Sequence, residues 1–421
     1  MIKKILLPIC LLFSLASIAQ EGTSSPYSFY GIGDVKFKGT ADNRAMGGLT
    51  IFQDSIHVNF QNPASYAALK LTSLSVGGSY LTTTLKTTTK EESARRSALD
   101  YLSVGIPMGK FGAGFGLIPY SAVGYKIQTI AAGPPQSIRT SLGKGGLNKA
   151  FLGLGYAISS KFSVGADLSY DFGKIETSSL GFIDGVQYGT REQNQSDMTG
   201  VSLTTGLMYQ SKINRKLSLV SSMTFSPETK LKSSNGRTIA SIQYSTTGAE
   251  VVVNESIIDV ANTTLTLPTK FSFGTGIGEL KKWMIGAEVT FQENSKLSNR
   301  FDDIVGSSLH TMKFENSMKY NLGGYYIPNY TSFSNYWNKI VYRGGLRYEN
   351  TGLVFDNQSI NDMGLTFGLG LPIPGAFSNI NIGFEYGKKG TTNANLVQEN
   401  YANLSIGLSF NDKWFNKKLY N

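Results

Sequence analysis

Apolar and polar residues alternate one by one along most of this chain. Between Phe162 and Lys174 the even positions are Phe162, Val164, Ala166, Leu168, Tyr170 and Phe172, and the odd positions are Ser163, Gly165, Asp167, Ser169, Asp171 and Gly173. A period of two is the repeat of a β-strand, whose successive side chains point to opposite faces. The same code recurs where Leu152, Leu154, Tyr156 and Ile158 oppose Gly153, Gly155 and Ala157, and where Met363, Leu365, Phe367, Leu369 and Leu371 oppose Gly364, Thr366, Gly368 and Gly370. It recurs again where Ile380, Ile382, Phe384 and Tyr386 oppose Asn379, Asn381, Gly383, Glu385 and Gly387. One face is apolar with aromatic ends; the other is small or acidic. Soluble β-sandwiches also alternate, but their strands run about 5–6 residues, against about 9–11 for a strand that crosses a membrane. The segments here are long, and their polar face is richer in glycine than a solvated surface needs. The pattern predicts an all-β transmembrane antiparallel barrel.

Fourteen such segments can be counted, near 71–86, 99–108, 111–126, 147–159, 162–178, 197–211, 216–227, 267–278, 282–297, 312–327, 340–355, 360–372, 378–388 and 401–410. Short turns (Gly109-Lys110, Ser159–Lys161, Lys212–Arg215, Glu279–Lys281) follow the second, fourth, sixth and eighth segments, and longer loops follow the odd ones. Barrels of this kind keep short turns in the periplasm and long loops outside, so an even count predicts both chain ends in the periplasm. The longest loop, about 228–266, contains strand-like pieces at Thr238–Tyr244 and Glu250–Val253 and is expected to form an extracellular hairpin above the rim.

Composition agrees. Glycine is frequent, at 47 residues, aromatics make up 12% and charged residues only 16%. After the first residues no apolar run approaches the about 18 residues of a helical span, and only helices and closed barrels satisfy every backbone group in lipid. The chain begins Met1-Ile2-Lys3-Lys4, with a mostly apolar run to Ala19. That is the grammar of a secretory signal over residues 1–20, cleaved after Ala19 or Gln20, and bacterial outer-membrane localisation follows. The only cysteine, Cys10, lies inside it, so no disulfide framework is expected. The formal charge of +10 becomes about +8 once Lys3 and Lys4 are removed. The excess collects at turns without interleaved aromatics, which argues against nucleic acid as a partner.

Residues 21–70, ahead of the first strand, have a different grammar: Ser25-Pro26-Tyr27-Ser28-Phe29-Tyr30-Gly31, then Arg44-Ala45-Met46-Gly47-Gly48, then Asn62-Pro63-Ala64-Ser65. The stretch is too apolar for a disordered tail and too broken by Gly and Pro for regular strands. A fourteen-stranded barrel is wider than the roughly eight-stranded size that side chains fill, so a plug inserted in the lumen is expected, with a periplasmic coil as the alternative. Gly47-Gly48 followed by Asn62-Pro63-Ala64 just before the first strand resembles the N-terminal hatch of the FadL family of long-chain fatty-acid transporters. The resemblance covers the mature chain by strand count and only the hatch by motif. It implies fourteen strands, a hatch, and outer loops that collect hydrophobic ligands. The last alternating run, Leu404 to Phe410, and Trp414-Phe415 resemble the closing strand of Bacteroidetes barrels, with Phe410 or Phe415 as the terminal aromatic.

The family's third strand is kinked inward and opens the wall sideways. Here that strand holds Pro119 and Tyr120, and a proline that cannot donate to the ladder implies either such an opening or a simple bulge at the rim. Candidate hatch or ligand residues are Phe29, Tyr30, Arg44, Asn62, Pro63, Ala64 and Tyr66, with Phe60 beside them. The inward rows carry Asp167, Glu288, Arg343, Arg347 and Glu349, suited to anchoring a hatch or to setting selectivity, and Arg44 is a candidate partner for an interior carboxylate. Catalysis is not suggested. His57 and His310 lack ligand-spaced companions, and neither a metal site, a cofactor motif nor a nucleophile elbow is present. Two functions follow from the resemblance: passive uptake of a hydrophobic small molecule, which enters from the loops and leaves sideways near Pro119, or an accessory plug subunit of the large type IX secretion translocon barrel, with outer-membrane lipid as a partner in either case.

Overall fold

The computed structural model describes residues 22–131, 133–297, 312–374 and 377–413. The signal segment with Cys10, and the residues His310 and Phe415, lie outside them. Fourteen strands form one antiparallel barrel: β1 Thr72–Lys86, β2 Glu91–Met108, β3 Phe111–Ala131, β4 Ser137–Ala157, β5 Phe162–Ile183 and β6 Gly189–Lys212. β7 is Ser218–Ser226 continued by Thr229–Tyr244, and β8 is Glu250–Ile258, Thr263–Leu267 and Lys270–Glu279. β9 Trp283–Gln292, β10 Met312–Phe314 with Ser317–Tyr326, β11 Val341–Phe355, β12 Gln358–Pro372, β13 Asn379–Lys389 and β14 Gln398–Asp412 complete it. β14 pairs with β1 from Gln398↔Lys86 to Asp412↔Thr72, which closes the sheet on itself. Pro227 and Pro268 fall at the breaks within β7 and β8, where the missing N–H interrupts the ladder.

The faces follow the alternation. Leu152, Leu154, Leu168 and Tyr170 are exposed on the outside, while Ser163, Asp167, Ser169 and Asp171 are buried inside. Exposed leucines in such rows would be costly in water and are favourable against lipid. No described helix is long and apolar enough to cross a membrane.

The connections differ from the expected pattern. Most stretches read as long loops are strand: β4 begins at Ser137, β5 runs to Ile183 and β6 begins at Gly189. The run 228–266 forms the hairpin that its strand-like pieces suggest, as extensions of β7 and β8. Its two arms pair from Tyr244↔Glu250 to Arg237↔Ile258, and its first arm continues the ladder with β6 from Gly189↔Ile242 to Thr199↔Lys232. Polar residues on both faces, as in Thr190-Arg191-Glu192-Gln193-Asn194-Gln195, hide a strand from a period-two reading, yet backbone pairing does not depend on side-chain polarity. Between β11 and β12 the expected longer loop is a two-residue turn, Asp356-Asn357, both at positive φ (47° and 62°), which these residue types tolerate.

The N-terminal segment, residues 22–71, packs against the inward positions of the wall. Its regular pieces are short: a 3-10 turn Pro26–Phe29, a two-residue strand Asp34–Val35, a helical turn Ala41–Arg44 (α1) and a 3-10 helix Pro63–Ala68. Inward glycines mark its path. A Cβ on Gly112 would lie 1.9 Å from the Tyr66 carbonyl oxygen, one on Gly206 2.0 Å from the Asn62 side chain, and one on Gly345 2.3 Å from the Gly47 nitrogen. The glycine-rich face is therefore the surface against which a second backbone lies.

Candidate functional site

Three features inside the barrel bear on function: how the segment is held, where the wall's ladder breaks, and what fills the remaining space.

Asn62 heads the Pro63–Ala68 helix. Its side-chain oxygen accepts from the Ala64 N–H at 3.0 Å, and Pro63 occupies the position where no N–H is needed. The same amide donates to the Leu207 carbonyl (3.1 Å) and the Ser222 hydroxyl (2.7 Å) of the wall. Asn-Pro-Ala thus caps a helix and docks it in one motif. Tyr66, fully buried, reaches Asp167 at 3.3 Å and packs with Val58, Phe60, Leu69, Tyr101, Ile118 and Phe151. Gly47 and Gly48 turn at positive φ (70° and 85°), and the Gly47 N–H donates to Thr366 at 2.9 Å. Glu288 accepts from both the Thr50 N–H (2.9 Å) and hydroxyl (2.7 Å). His57 bridges: its Nδ1 lies 2.6 Å from Asp54, and its Nε2 lies 3.1 Å from the Asn381 amide, which in turn accepts from Arg343 at 2.9 Å. Burial pushes the His57 imidazole down, but Asp54 and Asp42 outweigh it and the net shift is upward. Burial would likewise raise Asp54, yet His57 holds it at about 2.

Pro119 stands where the β2–β3 ladder ends. Pairing runs from Met108↔Phe111 to Leu102↔Leu117 and stops, while β2 beyond that point pairs only with β1. On its other side β3 remains paired with β4, with a bulge between Pro119 and Ser121. The vacated edge finds partners in the segment: Asp34↔Ala122 and Val35↔Ser121 are strand pairs, Lys36 donates its N–H to the Tyr120 carbonyl at 3.0 Å, and the Ser121 hydroxyl donates to the Ile32 carbonyl at 2.6 Å. Tyr120 turns inward into an apolar cluster with Ile32, Val123, Leu147, Ile175, Met198, Leu231 and Leu265. Bulge and interrupted ladder occur together.

The residues named from sequence do not form one pocket. Phe29 and Tyr30 stack on each other and on Tyr125 and Phe355, at 4.9, 5.2 and 5.1 Å between centroids, apart from the cluster of Phe60 and Tyr66. Arg44 lies 3.8 Å from Asp100. Asp167 and Glu288 bond the segment, whereas Arg347 pairs with Asp362 (3.0 Å) and Glu385 (2.6 Å) and Glu349 lies 3.7 Å from Lys319, all on the wall.

Inside the barrel lies a cavity of about 280 Å³. Charged groups line much of it, among them Asp34, Lys36, Lys38, Arg44, Asp100, Lys270, Lys319, Arg347, Asp362, Glu385, Lys389 and Glu399. Lys389 donates to Asp34 at 2.5 Å, and Glu399 accepts from Ser25. Asp100, Lys270, Lys319, Glu385, Lys389 and Glu399 were missed from sequence although they belong to inward rows, the signal that could have found them. Such a lining does not suit an apolar ligand. Among the described residues no group of His, Cys, Asp and Glu is placed to hold a metal ion.

The family model BamG matches the chain over residues 1–421. No curated protein matches it. The toluene transporter TbuX of Ralstonia pickettii superposes with a TM-score of 0.57 at 13% identity, covering 89% of this chain and 99% of its own. The toluene transporter TodX of Pseudomonas putida gives 0.55 at 14% identity, covering 91% and 100%. A Pseudomonas aeruginosa FadL homologue gives 0.54 at 13%, covering 90% and 98%. These likenesses are of fold.

Proposed function

This chain belongs to the BamG family and has a FadL-like outer-membrane barrel fold, and from that premise we propose that it takes up apolar small molecules by a lateral route, with residues 22–71 as the hatch and both termini periplasmic. The observation that carries this is the broken ladder at Pro119, where Asp34–Val35 of the segment, rather than a barrel strand, completes the wall. An apolar molecule would pass along this edge beside Tyr120, Phe29 and Tyr125, avoiding the charged cavity. Moving a two-residue strand exposes few backbone groups, so it opens at small cost compared with parting two full strands. The likeness in fold to two toluene transporters supports the ligand class.

The test places cysteines at the paired positions Val35 and Ser121. Cells carrying V35C/S121C should take up radiolabelled toluene only after reduction, while wild type is indifferent to reductant. Equal uptake in oxidised and reduced cells would sink the lateral route.

The charged cavity favours a second reading, an accessory plug subunit of a type IX secretion translocon, because a lumen locked by ion pairs does not serve apolar transport. Stoichiometric recovery of a very large barrel with the tagged protein, without any toluene uptake, would select it.

A further inference from the structure

Two cavities inside the barrel, about 280 and 80 Å³, share the side chains Lys38, Gln61, Lys270 and Gln292. Most other lumen cations meet a carboxylate (Arg44 with Asp100, Lys149 with Asp171, Lys319 with Glu349, Arg347 with Asp362, and Lys389 with Asp34), and Lys36 and Arg343 bond the Gly22 carbonyl and the Asn381 side chain. Lys38 and Lys270 are different. Among the described residues, neither amine has a carboxylate at ion-pair distance or a hydrogen-bond acceptor, and Lys38 has only the Tyr120 ring, 3.6 Å away. The Gln61 amide nitrogen is buried with no partner. Two half-buried amines and one buried amide N–H therefore line the same junction, with the Gln292 side chain beside them and the Asp167 carboxylate on the smaller cavity. Of the nearby carboxylates, Glu288 is engaged by Thr50 and Glu349 by Lys319, while Asp167 accepts from Tyr66 through Oδ2 and leaves its buried Oδ1 without a partner. Burial first, and then the charges of Lys270 and Lys149, drive the Lys38 amine well below its usual range, as expected of a cation lacking its counter-charge. Buried donors left this way are costly, and a ligand that accepts from all of them removes the cost.

We infer that this junction binds a tetrahedral oxyanion, phosphate or a phosphoryl group, with Lys38 and Lys270 supplying charge and Gln61 a directional N–H. A planar carboxylate is better matched by the arginine fork, whereas lysines bind phosphate as point charges from separate directions. The larger cavity also leaves room for whatever carries a phosphoryl group.

The full barrel, purified in detergent without phosphate, is titrated with inorganic phosphate by calorimetry, and a sample taken directly from membranes is examined by native mass spectrometry. Saturable phosphate binding with no adduct assigns the free anion. A phosphorus-bearing lipid adduct that phosphate displaces assigns a headgroup. Lys38→Gln and Lys270→Gln should each weaken phosphate about tenfold or more, and Gln61→Leu less, by loss of charge-assisted or neutral donors. Lys216→Gln, at an exposed turn, should change nothing. Heat-modifiable migration on gels certifies each variant as folded, and Lys38→Arg, which keeps the charge, retains binding if Lys38→Gln does not fold. The inference fails if wild type neither binds phosphate nor carries an adduct, or if folded K38Q and K270Q bind as wild type does.

Discussion

The two sides of the interior hold the N-terminal segment by different physics. Against β2–β8 the two larger apolar clusters, around Tyr66 and around Val123, add to the bonds of Asn62, Tyr66 and the Asp34–Val35 strand. Against β9–β14 smaller apolar clusters at Met46 and Tyr27 are interleaved with directional bonds from Glu288, Thr366, Asn381, Lys389 and Glu399. Burial of area is non-directional and insensitive to pH, so the first side supplies bulk adhesion. Hydrogen bonds fix position and respond to protons, so the second side sets register and is the side that conditions can loosen.

The largest effect should come from the adhesive side. Tyr66→Ala empties a fully buried site and is expected to destabilise the barrel by on the order of 3–5 kcal/mol, read from denaturant unfolding. A loss below about 1 kcal/mol would mean the cluster is not adhesive. Next, Glu288→Ala strands the Thr50 N–H and hydroxyl, worth about 1.5–3 kcal/mol for bonds to a charged group, and should make the segment protease-sensitive while the barrel persists.

The His57–Asp54 pair gives the comparison a pH axis. The imidazole is raised above its ordinary 6.5, so its contribution is complete below 6.5 and is lost as pH rises through the folded value. Asp54 is lowered from 3.8 to about 2, so its contribution is complete above 3.8 and is lost as pH falls toward 2. Protease protection of the segment should therefore be strongest between 3.8 and 6.5 and fall on either side, and His57→Gln should flatten the alkaline limb. An unchanged alkaline limb in that variant would remove His57 from the device. Smallest of all, Lys282→Ala at an exposed turn breaks its 3.2 Å pair with Glu279 and should shift stability by less than about 0.5 kcal/mol.

Much of this was legible in the sequence. Period-two rows gave strand number and facing, because one face meets lipid and the other a packed backbone. Gly47-Gly48 and Asn62-Pro63-Ala64 stood out because a tight turn and a capped helix demand those residues. The more apolar pieces Thr238–Tyr244 and Glu250–Val253 of β7 and β8 were legible, whereas the polar extensions of β5 and β6 were not, since a strand with two polar faces has no amphipathic signal. Nor were the pairings inside. Lys389 meets Asp34 across 355 residues, and no local pattern states which inward rows face each other over a lumen.

The glycines on the inward rows carry one more consequence, concerning order of manufacture. Gly112, Gly165, Gly206 and Gly345 leave no clearance for a Cβ between wall and segment. The segment is synthesised before any strand and leads directly into β1, the strand on which β14 closes. A side chain at any of these glycines would force either the wall or the segment to give way, whichever is laid down second.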